Sequence, residues 1–214
     1  MPGPHDKIIA DAAKAVLVPL GFRRKGRSRV WLADYDWWAT VVEFQPSAWS
    51  KGSYLNVGAH WLWSEMDCVS FDFGGRVAEF VEYQSDAQFT TAAARFAQCA
   101  ADEAQRLSQT FVSLEATAEI LLNEERTLDG FGQGGWMAFN AGVALGIVGR
   151  MDDALEMFGR VRSSPVSPGS ILHPAVDHMV RLIAEPSGLR PEVAALIARH
   201  RAALRLPALD ARIF

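Results

Sequence analysis

Apolar residues near the start of the chain recur at a helical spacing. Between residues 5 and 18 they fall close to positions i, i+4 and i+8, which places them on one face of a helix. Pro4 suits the first turn of such a helix, and Pro19 and Gly21 end it. The pattern therefore predicts an amphipathic helix over residues 5–18.

From residue 27 the apolar positions follow the pattern of strands. Aromatic and β-branched residues dominate three segments, and the compositions DYDW and PSAWSKGS between them are typical of turns. These segments predict antiparallel strands at about residues 27–34, 37–45 and 53–63. RVAEFVEY predicts a short fourth strand at 76–83.

Beyond residue 85 the pattern returns to helices. It predicts helices at about 86–111, 113–125, 173–185 and 191–205, and a helical hairpin within 136–165. The glycine-rich LDGFGQGG at 128–135 is the best candidate for a boundary. We therefore expect an α+β fold, in which helices pack a small antiparallel sheet of three to four strands and an all-helical C-terminal part follows. The expected domains are 1–128 and 129–214, which can also pack as one unit.

The predicted hairpin resembles a single tetratricopeptide repeat. Gly142, Ala154 and Phe158 stand at the small, small and aromatic positions of that motif, although Ala138 and Leu145 replace its usual Trp and Tyr. Small residues let two antiparallel helices approach closely, and a large ring fills the remaining gap.

Composition and charge narrow the class of protein. The formal net charge is −4, distributed as +3 over residues 1–60, −9 over 61–130 and +2 over 131–214. No apolar run reaches the length of about 20 residues that spans a bilayer, and the first 20 residues lack the pattern of a signal peptide. Cys68 and Cys99 form no CxxC or zinc spacing, so we expect buried thiols in a cytoplasmic protein.

A basic stretch, GFRRKGRSRVW at 21–31, is the sharpest polar feature. It carries five cationic side chains in eleven residues, and an unbroken strand would place Arg23, Lys25, Arg27 and Arg29 on one face. One interpretation is a site for phosphate, nucleic acid or an acidic partner. The others are an edge strand protected by charge, or cations that pair with the acidic 61–130 segment.

Tryptophans cluster in the same half of the chain. Six of the seven lie between residues 31 and 63. They form either the core of a small sheet or a platform on which bases or sugars stack.

No catalytic or metal-binding signature accompanies these features. The chain has no HExxH, no P-loop, no Gly-x-Ser-x-Gly elbow and no strand-linked GxGxxG, and its five histidines are scattered. We therefore predict no metal, no cofactor and no catalytic residue. An enzyme whose residues converge only in three dimensions stays open as an alternative.

Short motifs in the first half resemble a bacterial family known as domain of unknown function 4304. They are PLGFRRKG after the first helix, FQPS at the end of a strand and YLNVG in the next strand, and the resemblance covers about residues 5–120. The family supplies no established activity. We expect the matched polar residues to lie at strand ends or in the adjoining loop, where they can converge. With the neighbouring Arg27 they give the predicted anion-binding set: Arg24, Lys25, Arg27, Gln45, Ser47 and Asn56.

Two functional hypotheses follow. The first is a non-catalytic cytoplasmic module that binds another protein, for example as a toxin-neutralising immunity factor. The second is a protein that binds nucleic acid, a nucleotide or another anion through its basic, Trp-rich half. No membrane association is expected with either.

Overall fold

The sequence folds into seven α-helices and five strands within the ranges that the computed structural model describes, residues 3–64, 68–128, 135–165, 170–185 and 188–209. The helices are α1 (Pro4–Leu17), α2 (Asp86–Thr110), α3 (Leu114–Thr127), α4 (Trp136–Ile147), α5 (Met151–Ser163), α6 (Leu172–Ala184) and α7 (Leu189–Ala203). The strands are β1 (Arg23–Arg24), β2 (Val30–Tyr35), β3 (Trp38–Glu43), β4 (Gly52–Trp61) and β5 (Phe73–Glu82). The predicted α+β class, with its helical C-terminal part, is confirmed.

The sheet is an antiparallel meander in the order β1-β2-β3-β4-β5. Its fifth strand, absent from the prediction, is the two-residue β1, in which Arg23 pairs with Leu32 and Arg24 with Trp31. One row of partners crosses the sheet from Val30 through Glu43 and Asn56 to Arg76. Partners in a row share a face of the sheet, so the register decides which polar side chains meet.

The apolar pattern of α1 is that of a helix packed on one side. Its buried residues are Ile9, Ala13 and Leu17, spaced by four. Val18–Leu20 continue as a short 3-10 turn, which ends at Gly21 with a φ of 85°. That left-handed conformation suits glycine, so Gly21 turns the chain from α1 into β1.

Contacts group the chain into two compact units. One comprises Met1–Trp61 with Met66–Gln109, and the other comprises Leu62–Glu65 with Thr110–Phe214. Helix α3 therefore belongs with the C-terminal helices. Most of the glycine-rich segment at which we predicted the division, residues 129–134, lies outside the described residues, and the division at 128/129 stays a prediction.

The hairpin α4–α5 packs as its small residues suggest. Gly149 has a φ of 86° and makes the corner between the two helices. A Cβ on Gly142 would lie 2.5 Å from Cε1 of Phe158, whose side chain is fully buried. Gly142 therefore lets the aromatic ring of α5 approach the backbone of α4.

Both cysteines differ from the expectation of buried thiols. Cys68 and Cys99 are free and exposed. Cys99 lies on α2, where the apolar side is formed by alanines and phenylalanines, so its thiol falls on the polar side of that helix.

Candidate functional site

The basic stretch forms the β1–β2 turn and holds itself in shape. Arg24 donates from Nε to the carbonyl of Ser28 at 2.6 Å and from Nη2 to the carbonyl of Arg27 at 3.2 Å. Lys25 N–H donates to the carbonyl of Val30 at 2.9 Å, and Gly26 supplies a φ of 58° at the bend. The guanidinium of Arg24 therefore braces its own turn, although the side chain is exposed.

Arg29, the last cation of the stretch, faces helix α1. Its guanidinium forms an ion pair with Asp6 and donates to the carbonyl of Gly52 at 3.1 Å. Burial opposes ionisation of the Asp6 carboxyl, but the hydrogen bonds from Arg29 and from Gly3 N–H outweigh it and hold the pKa of Asp6 below its usual value. This ion pair fastens α1 to the β1–β2 turn.

The cations of the basic stretch do not pair with the described part of the acidic segment 61–130. Among the described residues, no carboxylate of that segment forms an ion pair with the basic stretch. Within the same ranges the side chains of Arg23, Lys25 and Arg27 have neither a hydrogen-bond nor an ion-pair partner. Lys25 and Arg27 thus present their charge at the tip of the turn.

Gln45 and Asn56 meet in a polar network on the sheet. Asn56 Nδ2 donates to Gln45 Oε1 at 3.0 Å and to Glu43 Oε2 at 3.1 Å. Arg76 Nη2 donates to the same Gln45 oxygen at 2.9 Å, and its Cζ lies 4.0 Å from the centroid of the Tyr54 ring. The donors of Asn56 and Arg76 are therefore directed at neighbouring side chains, which ties β3, β4 and β5 together.

The six residues predicted as an anion site occupy three places. Gln45 and Asn56 lie together on the sheet, whereas Arg24, Lys25 and Arg27 lie in the β1–β2 turn. Ser47 lies in the β3–β4 loop, where its Oγ accepts from Trp49 N–H at 3.1 Å. In the described chain no hydrogen bond or ion pair joins the turn or Ser47 to the Gln45–Asn56 pair.

Burial separates one tryptophan from the other five in residues 31–63. The core interpretation is confirmed for the five whose exposure is 9% or less: Trp31, Trp37, Trp38, Trp61 and Trp63. Trp49 is 95% exposed. Most of the cluster therefore supplies core volume, and a stacking platform of several rings is absent from this part of the chain.

Trp49 lies at the same end of the sheet as the basic turn. Arg29 links that turn to both ends of the β3–β4 loop. Its backbone carbonyl accepts from Phe44 N–H, and its guanidinium donates to the carbonyl of Gly52. Exposed Lys51 follows Trp49 in this loop. We call Lys25, Arg27, Trp49 and Lys51 the loop-end surface.

A cluster of His60, Ser70 and Asp72 was not predicted from the sequence. The buried His60 has Nδ1 2.8 Å from Ser70 Oγ and 3.1 Å from Asp72 Oδ2, and Ser70 Oγ donates to Asp72 Oδ1 at 2.8 Å. A catalytic triad places its nucleophile and its acid on opposite ring nitrogens, whereas here both oxygens address Nδ1. Asp72 also accepts from Trp61 N–H at 2.8 Å, so the cluster fastens the segment before β5 to β4.

Neither a metal site nor a membrane-spanning helix is found among the described residues. No group of three His, Cys, Asp or Glu side chains within it is placed to hold a metal ion. None of the helices in those ranges combines the length and apolar character needed to cross a membrane.

No family model matches the chain, and no curated protein or solved structure shows significant similarity to it.

Proposed function

We propose that this protein is a non-catalytic binding module that holds a partner protein through the loop-end surface. The observation that carries the proposal is the exposure of Trp49, 95%, in a chain that buries five neighbouring tryptophans. Tryptophan and arginine are the residue types most enriched where interfaces bind most strongly. Arg27 and Trp49 stand at the same end of one sheet.

The shape of the β3–β4 loop supports binding with little loss of entropy. The Ser47 hydroxyl caps the Trp49 amide, and Tyr54 N–H donates to the Gln45 carbonyl at 2.9 Å where the loop joins β4. A loop that is already ordered has less conformational freedom to lose when it binds. The backbone that carries the Trp49 indole is therefore held by hydrogen bonds of the loop.

The energy available from Trp49 is large enough to govern affinity. Burying about 200 Å² of ring at about 25 cal/mol per Å² yields roughly 5 kcal/mol before the costs of association. Those costs remove part of the gain, and strong interface tryptophans retain at least about 2 kcal/mol, or roughly a 30-fold change in affinity. Lys25, Arg27 and Lys51 favour a partner whose contact surface is acidic. A toxin that an immunity factor neutralises is one class of partner for such a module.

Recovery of the partner by affinity capture from the source organism tests the proposal. The wild-type protein is expected to retain a stoichiometric protein, and Trp49→Ala is expected to lose it with no change in melting temperature, because the ring is exposed. Val112→Ala is the matched control, since Val112 is also exposed, at 70%, but lies outside the loop-end surface. Equal recovery with Trp49→Ala, or no stoichiometric partner under several conditions, would contradict the proposal.

Nucleic acid is the second candidate, favoured by Lys25 and Arg27, whose side chains have no partner among the described residues. If Lys25, Arg27 and Lys51 each neutralise one phosphate of a duplex, log K falls with log salt at a slope of about −2.7. Fluorescence anisotropy with labelled DNA and RNA at several salt concentrations measures this slope. Absent or salt-independent binding would remove the candidate.

A further inference from the structure

An apolar pocket opens in the helical unit. It has a volume of about 530 Å³, within the range of pockets that bind small molecules. Its walls come from α4, α6, α7, the segment after β4 and the turn before α6: Trp63, Trp136, Phe139, Ser170, Ile171, Pro174, Ala175, His178, Met179 and Leu196. All of these residues belong to the same compact unit.

The floor of the pocket is buried and apolar. Trp63, Phe139, Met179 and Leu196 are each exposed by 4% or less. Trp63 Nε1 donates to the buried Asn140 Oδ1 at 3.0 Å, so the polar edge of this indole has its partner inside the protein. The floor therefore offers aromatic and aliphatic surface and favours an apolar molecule with an aromatic body.

The rim carries the polar groups. Trp136 is half-buried, and its Nε1 has no hydrogen-bond partner among the described residues. His178 Nε2 lies 4.0 Å from a Glu192 oxygen that already accepts from Arg199 at 3.1 Å. An indole N–H donates only, and the imidazole can also donate. The rim therefore favours a ligand with a hydrogen-bond acceptor.

We propose that this pocket binds a small, predominantly apolar aromatic molecule that carries one hydrogen-bond acceptor. The aromatic body lies against Trp63, Phe139 and Met179, and the acceptor lies between Trp136 and His178. Few, well-placed polar groups in an apolar pocket set the orientation of such a ligand. This site is independent of the loop-end surface, which belongs to the other unit.

Binding of two fluorescent probes to the full chain tests the proposal. 1-Anilinonaphthalene-8-sulfonate has an aromatic body and an anionic acceptor, whereas N-phenyl-1-naphthylamine has the same body without the sulfonate. We expect saturable binding of the sulfonate at a single site by calorimetry, and weaker binding of the neutral amine. Near-ultraviolet circular dichroism must stay native in the presence of the probe, because partly unfolded proteins also bind this sulfonate.

Ala175→Phe places a ring in the pocket and is expected to weaken sulfonate binding by about tenfold or more. Ala203→Phe, on an exposed position of α7, is the matched control and leaves binding unchanged. If Ala175→Phe fails to fold, Ile171→Asp serves instead, since Ile171 is 52% exposed at the rim and a carboxylate there repels the sulfonate.

Each outcome decides the proposal. Saturable binding that Ala175→Phe or Ile171→Asp weakens supports it. No saturable binding, or wild-type affinity in both variants, overturns the pocket as a ligand site. Equal affinity for the two probes overturns the assignment of an acceptor to the ligand.

Discussion

Replacing Gly142 by alanine tests the close packing of the α4–α5 hairpin. The new Cβ would stand 2.5, 2.8 and 2.9 Å from three carbons of the Phe158 ring, whereas ordinary contacts lie at 3.4–4 Å. Phe158 is fully buried and its ring centroid lies 6.1 Å from that of Phe139, so the ring has little room to retreat. We expect an overpacking cost of about 1–3 kcal/mol.

The helical preference of alanine works in the opposite direction. In a helix interior, alanine is favoured over glycine by about 1 kcal/mol, so the net loss for Gly142→Ala is about 0–2 kcal/mol. Gly159→Ala on α5 gains the same preference without the collision, since nothing would lie within 4 Å of its Cβ. This variant is expected to be more stable by about 0.5–1 kcal/mol.

Urea unfolding followed by far-ultraviolet circular dichroism compares the two variants. Because the helical preference is common to both, the difference between their free energies of unfolding measures the overpacking cost, about 1–3 kcal/mol. Adding Phe158→Leu removes ring atoms from the collision, so it should cost less in the Gly142→Ala background than in the wild type. Equal stabilisation by both alanines would refute the reasoning.

Three further substitutions probe single interactions. Asp6→Asn removes the ion pair to Arg29 and should cost about 1–2 kcal/mol at pH 7. The pKa of Asp6 is lowered in the folded protein, so the stability that this carboxylate contributes is present above its unfolded pKa near 3.8 and is lost as the pH falls further. The melting temperatures of the wild type and Asp6→Asn should therefore converge as the pH is lowered. Trp63→Phe leaves the buried Asn140 oxygen without its donor and should lower the free energy of unfolding by about 1–3 kcal/mol in urea. Ser113→Ala removes the N-terminal cap of α3 and should cost about 1 kcal/mol, seen as a lower melting temperature. No change in any one of these measurements would show that the corresponding contact contributes nothing.

The helices were predictable because long periodic patterns and capping residues identify them. The apolar residues Ile9, Ala13 and Leu17, spaced by four, predict α1, and the capping residue Ser113 predicts the start of α3. β1 was not predictable, because Arg23 and Arg24 have no apolar alternation and form a strand only by pairing with β2.

The candidate site was predictable only in part. Gln45 lies just beyond the end of β3, but Asn56 lies inside β4 and not at a strand end as predicted. The two converge because β3 and β4 are neighbours in the sheet. Their partner Arg76 depends on the β4–β5 register, which is shifted between Leu55 and Asn56 by an irregularity that the residue pattern does not reveal. Burial likewise separates Trp49 from the other tryptophans, and composition alone carries no such information.

The meander order of the sheet has a consequence for the way the chain folds. Within the described sheet each strand pairs only with strands adjacent to it along the sequence, so no pair in it joins segments that are far apart in the chain. Short sequence separation between partners lowers the entropy lost on closing each loop, which favours rapid folding. All the pairing partners of the sheet are available once residue 82 has been synthesised, and its hairpins can form in order, from β1 to β5, while the helices that follow are still being made.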